Sequence, residues 1–310
     1  MASRTVSGTI ATRRTGFQFK KYFNHESLIA FLFIFPSLIG FIVFYAVPTL
    51  RGFYFSFTNW DMLRDPTFVG VNNYTKLFSD PQFWRSLQVT VYYVLLNIPI
   101  QTAMATGLAV LMDRIAKSTF VRGIFIMPWL LPPVLVAMVW LWMLDPTLGF
   151  VNQVLQAIGI ARQPFLGSPA QAMPSIALIN NWQYTGYTAL LIYAGLQTIP
   201  KEVYEAAAID GATEVRTFFS ITVPLLRPVL VFVLVTTIIG SFQIFDTIAV
   251  TTKGGPVDAT RVITWYIYEY AFSRFQMGYA TATAFVLFLI LLIATLIQMR
   301  ILNGNESDLA

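Results

Sequence analysis

The chain has 310 residues, of which 56% are hydrophobic and 11% charged, and its net charge is +5. A soluble globular domain carries roughly a quarter charged residues, so this composition excludes one and points to a polytopic membrane protein. The sequence holds no cysteine, which also excludes disulfides, cysteine-containing metal sites and thiol catalysis.

Residues 1–27 are polar and basic, with Arg13, Arg14, Lys20 and Lys21 close to the first apolar run. Six runs are long enough to cross about 30 Å of hydrocarbon at about 20 residues each. They lie near residues 28–50, 86–112, 123–144, 174–199, 228–250 and 277–299. The expected fold class is all-α, a polytopic membrane protein with six transmembrane helices. Five of these runs contain no Asp, Glu, Lys or Arg, and the remaining one, 228–250, contains only Asp246. The first run, 23 residues long, exceeds a signal-peptide core and is expected to stay as a span. In the loop 51–85, Trp60, Tyr74, Phe78, Phe83 and Trp84 suit an aromatic belt at the outer interface. Residues 151–158 read as a short interfacial helix that Asn152 could begin. Lys253-Gly254-Gly255-Pro256 reads as a turn directly after the fifth run.

Orientation follows from the basic residues of the loops. With the N-terminus inside, the inner segments hold 12 Lys and Arg in 76 residues, against 8 in 92 for the outer loops. The bias places both termini, including the tail 301–310, and the loop 200–227 in the cytoplasm. The positive charge is then topology and lipid-headgroup contact, with no nucleic-acid partner. His25, the only histidine, reads as a solvated surface residue, so no metal site is expected.

The loop 200–227 is PKEVYEAAAIDGATEVRTFFSITVPLLR. Pro200 suits the start of a helix, where its missing N–H is no loss. Glu202 and Glu205 suit the positive end of the helix dipole. Ala206, Ala207 and Ala208 are strong helix formers with little bulk, and Gly211 suits the left-handed turn that ends a helix. Residues 213–219 read as a second short helix, after which Pro224 and Pro228 set the turn into the next span. A helix–turn–helix along the membrane face is expected, open to close approach by a partner.

The spacing Glu205-Ala206-Ala207, three residues, Gly211, nine residues, Ile221, one residue, then Val223-Pro224 resembles the EAA loop of binding-protein-dependent ABC importers. Every fixed position matches except a leucine, which is Val223 here. The stretches FPSLIGFIVFYAVPTLRGFYFSF, FVGVNNYTKLF, GLQTIPKEVYEAAAIDGA and SFQIFDTIAVTTKGGP extend the likeness over roughly residues 28–300. They are similar to carbohydrate permeases, in particular the larger permease of maltose importers, without that subunit's extra N-terminal spans and large outer insertion. The resemblance implies a type I ABC importer permease fold in the plasma membrane of a prokaryote. The implied partners are a second homologous permease, two ATP-binding subunits and an extracytoplasmic sugar-binding protein. It implies no catalytic residue and no cofactor on this chain, with ATP and Mg used by the ATPase. Glu205, Ala206, Ala207, Asp210, Gly211 and Pro224 would form the ATPase-coupling element.

A sugar site needs neutral hydrogen-bonding groups and aromatic rings. The fourth run offers Asn180, Asn181, Trp182, Gln183, Tyr184, Tyr187 and Thr188; the fifth offers Ser241, Phe242, Gln243, Phe245 and Asp246. At 1.5 Å per residue, Tyr184 lies about 15 Å below the outer end of its run and Gln243 about 22 Å from the inner end of its own. Tyr184 with Tyr187, and Gln243 with Asp246, are three apart and would each share a helix face. By the resemblance, Tyr187 matches a sugar-contacting tyrosine and Ser241 falls at a contacting position of different residue type. Tyr184, Gln243 and Asp246 follow from polarity and depth alone. Interhelical packing remains an alternative for all five. Asp246 could accept from a polyol, pair with the partner permease, or sit at the outer interface. Two other function classes stay open: a secondary transporter using Asp246, and a membrane enzyme built on Glu205, Asp210 and Glu214. No phosphate-binding Gly-x-x-x-x-Gly-Lys-Ser/Thr run is present. A di- or oligosaccharide is the expected cargo, with monosaccharide, glycerol phosphodiester and polyol left open.

Overall fold

The structure, a computed structural model, describes residues 25–114 and 118–302. The basic cluster at 13–21 and the tail beyond 302 lie outside them, as does the side chain of His25. The chain divides into two units, Met1–Gly52 and Phe53–Ala310. In the first, helix α1 (His25–Phe41) continues through a π-helical turn (Ile42–Ala46) into α2 (Val47–Phe55), whose residues from Phe53 on belong to the second unit. The wide turn sits just before Pro48, which has no N–H to donate one turn back. From Leu28 on this helix is largely apolar all round and mostly exposed, with Phe33 at 82% and Phe44 at 75%. Such a surface needs lipid or another protein around it.

In the second unit, two short strands, β1 (Thr58–Asn59) and β2 (Thr67–Phe68), pair antiparallel. Helix α3 (Asn72–Ser79) leads into α4 (Pro81–Arg114). At 34 residues, α4 is about 50 Å long and carries Pro99 inside. The run expected as one span at 123–144 is two helices instead, α5 (Thr119–Leu130) and α6 (Pro133–Met143), meeting at 90°. The cause is local: Pro132 and Pro133 follow one another, so two successive donors are missing. The Leu131 carbonyl freed at the corner accepts from Gln183 Nε2 at 3.2 Å.

Helix α7 (Phe150–Ala157) starts from Gly149 rather than Asn152. Asn152 is buried and bridges to a distant stretch of backbone instead. Its Oδ1 accepts from the Gln163 amide at 2.8 Å and its Nδ2 donates to the Gln163 carbonyl at 2.9 Å. After α8 (Ala172–Leu196) come α9 (Lys201–Ile209), α10 (Glu214–Thr217), a π-helical turn (Phe218–Thr222) and α11 (Val223–Leu225). Helix α12 (Arg227–Phe242) stops at Gln243, and α13 (Asp246–Val250) begins after a non-helical pair. Helices α14 (Ile263–Tyr268) and α15 (Met277–Leu302) complete the unit.

Among the described residues, four stretches are long and apolar enough to span a membrane: Leu28–Phe55, Pro81–Arg114, Arg227–Val250 and Met277–Ile301. The bent α5–α6 pair would make a fifth. Helix α8 has the length, 25 residues, but carries a polar run that it buries against its neighbours. Asn180, Asn181, Gln183, Thr185 and Thr188 are each no more than 6% exposed.

One core cluster joins α4, α12, α13, α14 and α15 through Tyr93, Phe242, Ile248, Tyr266 and Tyr279. Another closes the opposite end through Ala109, Met112, Ile192 and Leu226. Gly186 sets the α5–α8 spacing. A Cβ there would lie 1.7 Å from the Phe125 carbonyl oxygen, so only glycine lets the two backbones approach this closely.

Candidate functional site

A cavity of about 290 Å³ opens between α4, α5, α8 and the α12–α13 break. Tyr184, Tyr187, Ser241, Gln243 and Asp246 all line it. Helix geometry puts Tyr184 and Tyr187 on one face of α8. Gln243 and Asp246 do not share a helix face, because the helix breaks between them. The break presents Ile244 and Phe245 to the cavity, and the Thr264 hydroxyl donates to the freed Ile244 carbonyl. Irregular backbone at membrane depth is tolerable where it borders a cavity and its polar groups find partners.

The cavity has an aromatic side. Tyr187 stacks on Trp129, with ring centroids 4.3 Å apart and planes 11° from parallel. The close approach at Gly186 brings α5 near enough for this. The other side is amide and hydroxyl. Asn97 Nδ2 donates to Gln101 Oε1 and to Ser241 Oγ, both at 3.1 Å. Gln101 Nε2 donates to Thr188 Oγ1 at 3.0 Å. Thr247 Oγ1 donates to Asn180 Oδ1 at 3.2 Å, and Asn180 Nδ2 donates to the Ile176 carbonyl at 3.0 Å. Thus α4, α8 and α12 are tied by neutral hydrogen bonds at the cavity wall. Among the described lining residues Asp246 is the one charged side chain and no lysine or arginine is present. Asp246 is exposed and stands at the start of α13.

At the other end of α8 the residues of the loop 200–227 fall on a compact turn. Pro200 caps α9, with Glu202 in its first turn. The helix ends in a Schellman arrangement: the Ala212 amide donates to the Ala207 carbonyl at 2.9 Å, and the Gly211 amide to Ala208 at 3.1 Å. Gly211 has φ +73°, the left-handed value this ending requires. The Thr213 hydroxyl caps α10 by accepting from the Arg216 amide. The second helix is shorter than the expected 213–219, since it widens into the π turn at Phe218. Arg114 at the end of α4 pairs with Glu214 at 2.6 Å.

Glu205, Ala206, Asp210, Gly211 and Pro224 are exposed, whereas Ala207 is buried. The open face therefore consists of Glu205, Ala206 and Ala208, flanked by Ile209 at 86%, Val215 at 68% and Phe219 at 67% exposure. Three apolar side chains this bare on a polar loop suit a protein contact.

A third polar cluster gathers around Asp80. Its Oδ2 accepts from Tyr266 at 2.6 Å, Tyr270 at 3.2 Å and Tyr279 at 3.3 Å. Burial pushes this carboxyl up, but the hydrogen bonds from Tyr266, the Gln82 amide, Tyr270 and Tyr279 outweigh it, and its pKa lies below the ordinary carboxylate value. Burial and the bond to Asp80 push Tyr266 well above the usual phenol. Arg261 bridges Asp258 and Glu269, and Glu269 also holds Arg274. The Asp80 bonds clamp the start of α4 to α14 and α15. The belt expected in the loop 51–85 divides accordingly: Phe78 and Trp84 are exposed, while Phe83 is core at 1% exposure.

Residues 101–303 match the family described as binding-protein-dependent transport system inner membrane component. The chain belongs to that family. It is similar to the probable ABC transporter permease protein YurN of Bacillus subtilis, at 34% identity over 92% of this chain and 99% of the relative. It is 32% identical to the trehalose/maltose transport system permease protein MalF of Thermococcus litoralis, over 89% of this chain and 94% of the relative. The fold matches a solved bacterial alginate ABC transporter in complex with alginate pentasaccharide-bound periplasmic protein. That match has a TM-score of 0.79 at 24% identity, covering 91% of this chain and 97% of the other. The protein is a multi-pass membrane permease, and its homologues are transport subunits rather than enzymes.

Within this permease, the cavity residues that escaped the sequence reading include Asn97, Gln101 and Trp129. Asn97 and Gln101 are amides four residues apart in a run without charged residues, a one-face polar pair that is visible in the sequence. Trp129 carries no comparable signal, because its role depends on the α5–α8 approach.

Proposed function

We propose that this permease forms one half of the translocation pathway of an ATP-driven importer of neutral sugars, a di- or oligosaccharide. The observation that carries this reading is the cavity's composition. A stacked tyrosine–tryptophan pair faces a wall of neutral amides and hydroxyls, without a basic side chain. Flat apolar sugar faces suit the first and hydroxyls the second, whereas a phosphate or carboxylate would meet Asp246 unpaired. The Thermococcus litoralis relative is named for trehalose and maltose, which are neutral disaccharides. Tyr184, Tyr187, Ser241, Gln243 and Asp246 are the substrate-facing groups, Asp246 accepting from sugar hydroxyls.

The second permease, two ATP-binding subunits and an extracytoplasmic sugar-binding protein complete the machine, with lipid around the apolar helices. ATP and Mg belong to the ATPase, and this chain binds no cofactor. Glu205, Ala206, Ala207, Asp210, Gly211 and Pro224 form the element that seats on the ATPase. The bare apolar face of α9 and α10 supports that assignment, and the Arg114–Glu214 pair carries its motion to α4. ATP-driven closure would then rock the helices as rigid bodies about the cavity. The membrane is the plasma membrane of a prokaryote, with both termini and the loop 200–227 on the cytoplasmic side, as the loop charges support.

The test is uptake into vesicles holding the complete importer, with a panel of neutral and anionic saccharides and the binding protein outside. The expected result is ATP-dependent uptake of a neutral saccharide that an ionophore leaves intact. Uptake that ignores ATP and collapses with the ionophore would assign the pathway to ion coupling through Asp246. Preference for an anionic saccharide would overturn the substrate class.

A further inference from the structure

Gln243, Ile244, Phe245, Asp246 and Thr247 all line the cavity. At about 100° per residue, five consecutive residues of a regular helix would turn through more than a full circle. They reach one cavity because α12 stops at Gln243 and α13 starts at Asp246, with Phe245 at φ −141° between them. In an unbroken helix the Ile244 carbonyl would accept from the amide four residues on. Here it accepts from the Thr264 hydroxyl, and a carbonyl leaves that hydroxyl no role but donor. A side chain inserted into the helical ladder is one of the few causes of a sharp break. Gly240-Ser241 loosens α12 one turn earlier, whereas Thr264 holds the broken geometry itself.

The next residue along α14 supports the other half of the break. Trp265 stacks on Phe245, with ring centroids 6.2 Å apart and planes 26° from parallel, and Tyr268 meets the same ring at 5.1 Å. The Lys253-Gly254-Gly255-Pro256 turn makes room for that indole, since a Cβ on Gly254 would lie 2.9 Å from it. Helix α14 is in turn fixed to α4. The Ile263 amide donates to Thr90 Oγ1 at 2.8 Å, and the Tyr266 hydroxyl to Asp80 at 2.6 Å. The break is therefore braced against α4 from outside its own helix.

We infer that Thr264 and Trp265 are positioning residues for the transported sugar. Thr264 keeps the α12–α13 break open through the Ile244 carbonyl, and Trp265 backs Phe245. Together they present an aromatic ring, Phe245, and a carboxylate, Asp246, to the same ligand. Neither Thr264 nor Trp265 is among the lining residues, so both act through the groups they hold. This inference deepens the sugar-pathway reading above and rests on it.

The experiment uses the complete importer in vesicles with saturating sugar-loaded binding protein. Its probe is whichever of maltose, trehalose, sucrose or raffinose the unaltered importer accumulates. Sugar accumulated and ATP hydrolysed are measured together for the unaltered chain, Thr264→Val, Thr264→Ser and Trp265→Leu. A variant that merely assembles poorly lowers both in proportion and leaves the sugar moved per ATP unchanged. Thr264→Val keeps the shape and removes the donor. Its sugar moved per ATP is expected to fall about fivefold, the scale of one lost hydrogen bond. Thr264→Ser loses a methyl group but keeps the donor, and is expected to hold the ratio. Trp265→Leu is expected to lower the ratio as the valine variant does, and it carries the test if that variant fails to assemble. An unchanged ratio in Thr264→Val overturns the inference, because Gly240-Ser241 would then suffice for the break. Equal falls in the valine and serine variants overturn it as well, since packing rather than the hydroxyl would be responsible. An unchanged ratio in Trp265→Leu removes Trp265 from the assignment, and overturns it whole where the valine variant does not assemble. All of these leave the sugar pathway standing. Failure of the unaltered importer to accumulate any of the four sugars overturns the sugar-pathway reading itself, and the positioning role with it.

Discussion

The cavity wall and the coupling loop are both polar regions in an apolar chain, yet opposite physics holds them. At the cavity, amides and hydroxyls from α4, α8 and α12 satisfy one another over long sequence separations, Asn97 and Ser241 being 144 residues apart. The loop is held by short-range devices: a proline start, a glycine stop with φ +73° and a threonine cap. The cavity's polar groups are buried and mostly paired, whereas the loop leaves Glu205, Ile209, Val215 and Phe219 bare. A buried network fixes which helices pack and how. A locally folded, exposed turn can keep its shape while waiting for a partner. One region should therefore respond to mutation through assembly and selectivity, the other through coupling.

The sharpest way to break that contrast is charge reversal on the loop. Glu205→Lys changes an exposed side chain, so the thermal midpoint of the purified permease should stay put. ATP-driven uptake is expected to fall about tenfold or more, because a reversed charge at a protein contact is strongly unfavourable. Unchanged uptake would remove Glu205 from the contact. The counterpart in the membrane is Gly186→Val. Its Cβ would overlap the Phe125 carbonyl at 1.7 Å, so α5 must shift, with about 1–3 kcal/mol lost from stability. The Trp129–Tyr187 stack should loosen with it. Thermal unfolding read by tryptophan fluorescence checks both, and an unaltered midpoint would show that α5 is free to move.

The same division explains what could be read from residues alone. Loop geometry was legible because each piece is local: Pro200 starts a helix and Gly211 ends it without reference to anything distant. The polar positions of α8 and α12 were legible as polarity at depth, and Tyr184, Tyr187, Ser241, Gln243 and Asp246 do meet at one cavity. Their local conformation was only partly legible. The corner between α5 and α6 had its signal in Pro132-Pro133. The break at Gln243 has no proline beside it, and part of its support comes from Thr264, twenty residues on. Asn152 has a helix-cap residue type, but a tertiary bridge to Gln163 claims its side chain. Ala207 shows the limit within the loop, since packing turned inward one of three alanines that looked equivalent.

Smaller effects separate local from distant support more finely. Gly211→Ala forces a left-handed conformation on a residue with a Cβ, an expected loss of about 1–2 kcal/mol. That strain should appear as fraying of α9, read by amide exchange at residues 207–212, with the α4–α8 contact untouched. Protection lost equally along α8 would mean that the loop and the bundle fold as one unit.

The Asp80 clasp tests the distant kind through pH. Its carboxyl titrates below the ordinary value because three tyrosines and the Gln82 amide favour the charged form. The folded pKa is the lower one, so the associated stability is complete above the unfolded value of about 3.9 and is lost as pH falls through the folded value. The clasp is accordingly indifferent between pH 7 and 5 and weakens below about pH 4. Asp80→Asn keeps the shape and removes the charge. Its thermal midpoint should lie below that of the unaltered permease at pH 7, and the gap should narrow at pH 3. A gap that is the same at both pH values would mean that the tyrosines hold the starts of α4 and α15 together by packing alone, with the carboxylate a bystander.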